Sequence, residues 1–160
     1  NISINMRRIS SWNSTRYVTC SSFFFTIPAM YSYFKYNMIF PPLLLFTSSI
    51  ISANYWRDAM DDWRRTLDLY FSKLSFSYFI GCSFYYIPLK ENIIVSIPNL
   101  LLILYCFHKS GTEHKKNTRR WVYYHLGFHT LMTFQLFIIF DYIGKNKLKL
   151  TNNILMLNKI

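Results

Sequence analysis

Five apolar stretches, each nearly free of charge, alternate along this chain with short polar segments rich in Lys and Arg. Stretch A runs from Tyr17 to Phe34 and B from Met38 to Tyr55, while C covers Leu67 to Ile87, D covers Ile93 to Phe107 and E covers Val122 to Ile143. A helix that crosses a bilayer needs about 20 predominantly apolar residues, with about 17 to 25 tolerated. C and E meet that length, and A and B approach it. D is short and carries Pro98 and Asn99, so it predicts either a helix that extends through Leu89 or a broken one buried in protein. Only Lys35, Tyr36 and Asn37 separate A from B, and Pro41 and Pro42 then restart the helix, because proline is tolerated in a first turn. If A lies in the interface instead, four spans remain. The pattern predicts an all-α integral membrane bundle of four or five transmembrane helices over residues 17–143, with a polar basic tail at 1–16 and a second basic tail at 144–160.

Composition agrees. Hydrophobic residues make up 52% and aromatics 20% of the chain, high for a soluble domain of this size. The mean hydropathy of +0.13 is modest because the tyrosines score as polar and the charges gather outside the apolar stretches. The net charge of +11 would suit nucleic acid if it covered one face of a soluble domain. Here the basic residues flank apolar stretches, which suits anionic headgroups better. The expected partners are therefore the lipid bilayer and other membrane proteins, and not nucleic acid. Under five spans, the N-terminal tail and the B–C and D–E segments carry eleven Lys and Arg, against six on the other side. That bias puts the N-terminus and the two basic loops in the cytoplasm, with the lysine-rich C-terminal tail opposing it. The Arg- and Ser-rich start reads as a simple tail in preference to a transit peptide or signal. The sequence opens on Asn1, so either Met6 is the natural start or the chain is a fragment. Cys20, Cys82 and Cys106 form no paired framework and read as inert buried thiols.

Ionisable groups inside a span are costly, so each needs an account. In stretch E, His125 and His129 stand four residues apart and project from one helical face. Two readings follow: the imidazoles share a metal ion, or they hydrogen-bond across helices. Gly127 between them keeps the opposite surface slim for close packing. Asp68 opens stretch C, with Ser72 and Ser75 on the same face, and Ser48, Ser52 and Tyr55 form a stripe at the end of B. Two imidazoles and one carboxylate would hold a zinc ion and leave a position for water, whose pKa falls to about 7 when so bound.

In this order, Ser52, Asp68 and His125-Leu-Gly-Phe-His129 resemble the CREST superfamily of membrane hydrolases, which includes the alkaline ceramidases and the progestin and adiponectin receptors. Members carry a Ser and a His four residues apart, then an Asp, then a late His-x-x-x-His. The resemblance implies a zinc-dependent lipid amide or ester hydrolase, with Ser52 catalytic and Asp68, His125 and His129 at the metal. The position matching the family's first His is Trp56, which cannot bind metal, and the family has seven helices where this chain has room for five.

Other polar residues have plainer readings. The stretch Tyr55–Arg65 reads as an interfacial turn with Trp56 and Trp63 in the aromatic belt, or as a phosphate-headgroup site built from Arg57, Arg64 and Arg65. Lys73 pairs with an acid such as Asp141 or snorkels to an interface, and Asp141 itself is expected to reach headgroups. His108 and His114 flank Ser110 and Gly111 in what reads as a solvated loop. Three functional classes remain: a structural or accessory membrane subunit, favoured on base rates; a divergent CREST-like hydrolase; and a small transporter or channel lined by the polar stripe.

Overall fold

The computed structural model describes residues 9–157; Met6, Arg7, Arg8 and Lys159 lie outside the described residues. Its regular elements are helices, with no strand among the described residues. Helix α1 (Trp12–Ser22) leads through a 3-10 turn at Phe23–Phe25 into α2 (Thr26–Tyr36). This rod therefore begins inside the segment expected to be a tail. It ends at Asn37, whose φ of 48° is left-handed and whose backbone N–H donates to the Tyr33 carbonyl at 2.9 Å. Asn tolerates that conformation better than most residues, which is how so few residues reverse the chain. Helix α3 (Phe40–Arg57) follows, with Pro41 and Pro42 in its first turn.

Helix α4 (Trp63–Tyr86) is capped by Asp62, whose carboxylate accepts from the Arg64 backbone N–H at 2.9 Å. After Pro88 come α5 (Leu89–Glu91), a π turn at Asn92–Ser96 and α6 (Ile97–Lys115), which run on as one rod. Stretch D thus extends through Leu89, as the longer reading expected. It also continues past Phe107, and this corrects the solvated loop expected between His108 and His114: those residues form the last turns of α6. Lys109, Glu113 and Lys115 favour helix, and one Gly111 does not end a rod that packs lengthwise on its neighbour. Helix α7 (Arg120–Leu157) likewise passes Ile143 and runs through residues read as a tail.

Helix α7 packs against α1, α2, α4 and α6, while α3 packs against α1, α2 and α4. One core gathers Ala29, Leu45, Phe79, Leu136, Ile139 and Phe140. A smaller one joins Val18, Trp121 and Val122 to Trp56 and Leu126. Many large apolar side chains face outward: Phe34 is 75% exposed, Leu101 62% and Tyr85 81%. The rod Leu89–Lys115 and the stretch Arg120–Leu150 are each long and apolar enough to cross a membrane, and most of each apolar window lies outside the bundle.

The two ends of the bundle differ. At one end the Ile9 N–H donates to the Ala59 carbonyl at 2.8 Å, and Ser10, Ser11 and Ser14 share a polar recess with His114, Thr118 and Arg119. The N-terminal stretch and the α3–α4 and α6–α7 loops therefore meet there. At the other end Lys147 Nζ donates to the Asn37 carbonyl at 2.9 Å. Asp141 accepts from Tyr31 Oη at 3.0 Å and from Tyr36, and pairs with Lys35 at 3.2 Å and Lys145 at 2.5 Å. Asp141 is thus engaged by α2 and by its own helix, and Lys73 stands exposed on α4.

Candidate functional site

A seam of buried polar side chains crosses the bundle toward its basic-loop end. Sequence order brings it about: the end of α3 and the start of α4 meet across one loop, and the start of α7 packs on α1. The Ser52 hydroxyl hydrogen-bonds the Asp68 carboxylate. On its other side Ser22 Oγ donates to Ser52 Oγ at 3.2 Å. The neighbouring Ser21 Oγ lies 2.7 Å from His129 Nδ1. Ser21 Oγ also lies within hydrogen-bond reach of the Val18 carbonyl, at 3.0 Å, so this serine ties the last turn of α1 to the α7 imidazole.

The His129 ring stands 4.7 Å from that of His125, centroid to centroid. His125 Nδ1 lies 3.4 Å from Ser110 Oγ, which donates to the Trp121 carbonyl at 3.2 Å. Trp56 meets His125 edge to face at 5.0 Å and stacks on Trp121 at 5.7 Å. Further along, Ser48 Oγ and Ser75 Oγ are 2.7 Å apart, so the stripes expected on B and C do face each other. Ser72 points outward, and Tyr55 is buried beside the seam. Ser21, Ser22, Ser52, Asp68 and His129 are all at least nine-tenths buried. In such a place an unmade hydrogen bond costs about 1–3 kcal/mol, which is why each of these groups has found a partner.

The structure thus brings His125 and His129 together and leaves Asp68 on the Ser52 hydroxyl. Among the described residues, no three His, Cys, Asp or Glu side chains converge as a metal would require. Two imidazoles fall one short of the three protein donors that a catalytic zinc site uses. Gly127 does permit close approach, although toward α6: a Cβ there would meet Cys106 Sγ at 3.4 Å. The arginines of the α3–α4 loop are engaged locally. Arg64 pairs with Asp62 at 2.8 Å and Asp58 at 3.7 Å, Arg65 with Asp61 at 2.7 Å, and Arg57 donates to Asn54 at 3.3 Å.

Three members of the seam were missed from sequence. Ser21 and Ser22 lie amid apolar residues in A, where a serine pair is itself a signal of an inward polar face. Ser110 was hidden by reading the end of α6 as a loop. No family model, no curated protein and no solved structure matches this chain.

Proposed function

We propose that this chain is a small polytopic membrane protein of four or five spans that acts as a structural or accessory membrane subunit. Its N-terminal and basic-loop end faces the cytoplasm. One observation carries the reading: each of three buried or half-buried ionisable groups of the apolar segments is spent on joining two helices. His129 joins α7 to α1 through Ser21, Asp68 joins α4 to α3 through Ser52, and Asp141 joins α7 to α2 through Tyr31. In a bilayer, where apolar surface gives helices no reason to associate, such bonds are the glue. Purification in mild detergent tests the proposal. A partner protein recovered in fixed ratio, with no metal, is the expected result. About one zinc per chain, lost in a His125→Ala, His129→Ala double variant, would overturn it.

That second outcome belongs to the other reading, a divergent CREST-like zinc-dependent lipid amide or ester hydrolase. It is favoured by a specific relationship. Ser52 meets Asp68, and the rings of His125 and His129 stand 4.7 Å apart in the same seam. On this reading Ser52 and Asp68 would hold and orient a water, and the imidazoles would hold the metal.

A further inference from the structure

The recess at the basic-loop end has a volume of about 300 Å³ and a mainly polar lining. That volume lies at the lower bound of small-molecule sites. Three segments remote in sequence build it. Ser10, Ser11 and Ser14 come from the approach to α1 and its first turn, His114 from the last turn of α6, and Arg119 from the loop before α7. The Ile9 N–H on the Ala59 carbonyl holds the first segment, and the left-handed Asn117, with a φ of 54°, turns the third. Trp121 is buried and backs the recess, meeting the His114 ring edge to face at 5.2 Å.

Donors outnumber acceptors there. Among the described residues, the hydroxyls of Ser10, Ser11 and Ser14 and the guanidinium of Arg119 have no hydrogen-bond or ion-pair partner. Ser11 opens α1 without using its hydroxyl as a cap, which leaves the first N–H groups of that helix unspent as well. The acid nearest in sequence is committed elsewhere: Glu113 accepts from the Thr118 hydroxyl at 2.7 Å and pairs with Lys116 at 3.7 Å. No Asp or Glu among the described residues lines the recess. Arg119 differs in this from Arg64 and Arg65, which are neutralised by Asp62 and Asp61.

We propose that this recess binds the phosphate group of a phosphate ester, with Arg119 as its charged partner and the three serine hydroxyls as neutral donors. A guanidinium matches phosphate oxygens in pairs, through a planar fork that a lysine lacks. A carboxylate offers two acceptor oxygens and a phosphate monoester three. Three hydroxyls beside a guanidinium suit the larger set. The rest of the volume takes the carbons next to the ester oxygen. A lipid headgroup and a water-soluble ester share this chemistry. Arg119 lies outside the buried seam, so the site stands apart from both the subunit and the hydrolase readings.

The test titrates the full chain, purified in dodecyl maltoside, with two probes that carry the same phosphate monoester. Glycerol 3-phosphate presents it free in water, and dihexanoyl phosphatidic acid presents it on a lipid. Binding is read by isothermal titration calorimetry. Arg119→Ala should weaken binding about tenfold or more, the share of one charge-assisted hydrogen bond. Lys73→Ala, which removes a charge from α4, should leave it unchanged. Ser11→Asp supplies a second variant: Asp caps a helix as well as Ser does, so the fold is kept, and the added carboxylate should abolish binding. Binding of both probes supports the site with a soluble ester as a sufficient ligand, and binding of the lipid probe alone supports it with a headgroup. Binding of neither probe, or a loss with Arg119→Ala no greater than with Lys73→Ala, would overturn the site.

Discussion

Trp56 meets His125 edge to face, ring centroids 5.0 Å apart, while stacking on Trp121 at 5.7 Å. An indole therefore packs beside the imidazole pair, at the position to which the CREST resemblance would assign a histidine. The same side chain ties α3 to the start of α7. On the proposed hydrolase reading, metal chemistry and packing would compete for this one position, and the sequence carries tryptophan there.

Replacing Trp56 by His should reverse the choice. The variant is expected to lose packing worth about 1–3 kcal/mol, read as an earlier unfolding midpoint in detergent, because a large half-buried ring gives way to a smaller one. It should also take up zinc or cobalt, followed by elemental mass spectrometry and by the visible absorption of cobalt. Adding His125→Ala should abolish uptake. A folded Trp56→His chain that binds neither metal would show that the indole does not stand at a ligand position.

Ser21 and His129 should prove energetically coupled. Interhelical hydrogen bonds between side chains in membrane proteins are worth about 0.6 kcal/mol on average and up to about 1.7. A cycle of Ser21→Ala, His129→Ala and the double variant, measured by unfolding in a mild detergent, should return a coupling within that range. A value indistinguishable from zero would mean that the contact at 2.7 Å does not hold α1 to α7.

Gly144 admits no side chain. A Cβ on it would collide with the ring of Tyr36, which packs directly on the α7 backbone. Gly144→Ala is thus expected to destabilise the chain by about 1–3 kcal/mol, the usual cost of overpacking. Gly81, where a Cβ would meet nothing, supplies the control, since Gly81→Ala should be neutral or stabilising. Shrinking the ring with Tyr36→Ala beside Gly144→Ala should recover part of the loss. If Gly144→Ala unfolds no earlier than Gly81→Ala, the two helices are not in contact there.

Much of this architecture is readable in the hydrophobic pattern. Stretches B and C coincide closely with α3 and α4, because Asn37, Pro41 and Asp62 punctuate the chain with local chemistry that needs no tertiary knowledge. The extension of α6 through Ser110 and of α7 beyond Ile143 was not readable. Lys and Glu are good helix formers but also the usual residues of loops, and only packing on a neighbour decides between the two. The site divides in the same way. Spacing along one helix announced His125 and His129 as a pair, and the Ser48 and Ser75 stripes announced a shared face. The partners Ser21 and Ser22 come from a helix 108 residues away from His129 in the case of Ser21, a separation no periodicity reports.

The position of α7 bears on how the molecule comes to exist. Among the described helices it is synthesised last, yet it is the one that α1, α2, α4 and α6 all lean on. Until it arrives, Ser21 lacks its imidazole and the tyrosines of α2 lack Asp141, so the earlier helices are made without the element that fastens them together. A nascent chain stalled before Arg120 would hold those helices in an unsealed state, and quality-control proteases would meet it as such. Assembly of these helices is thus a closing step that waits for α7, and not a stepwise accumulation of finished pieces.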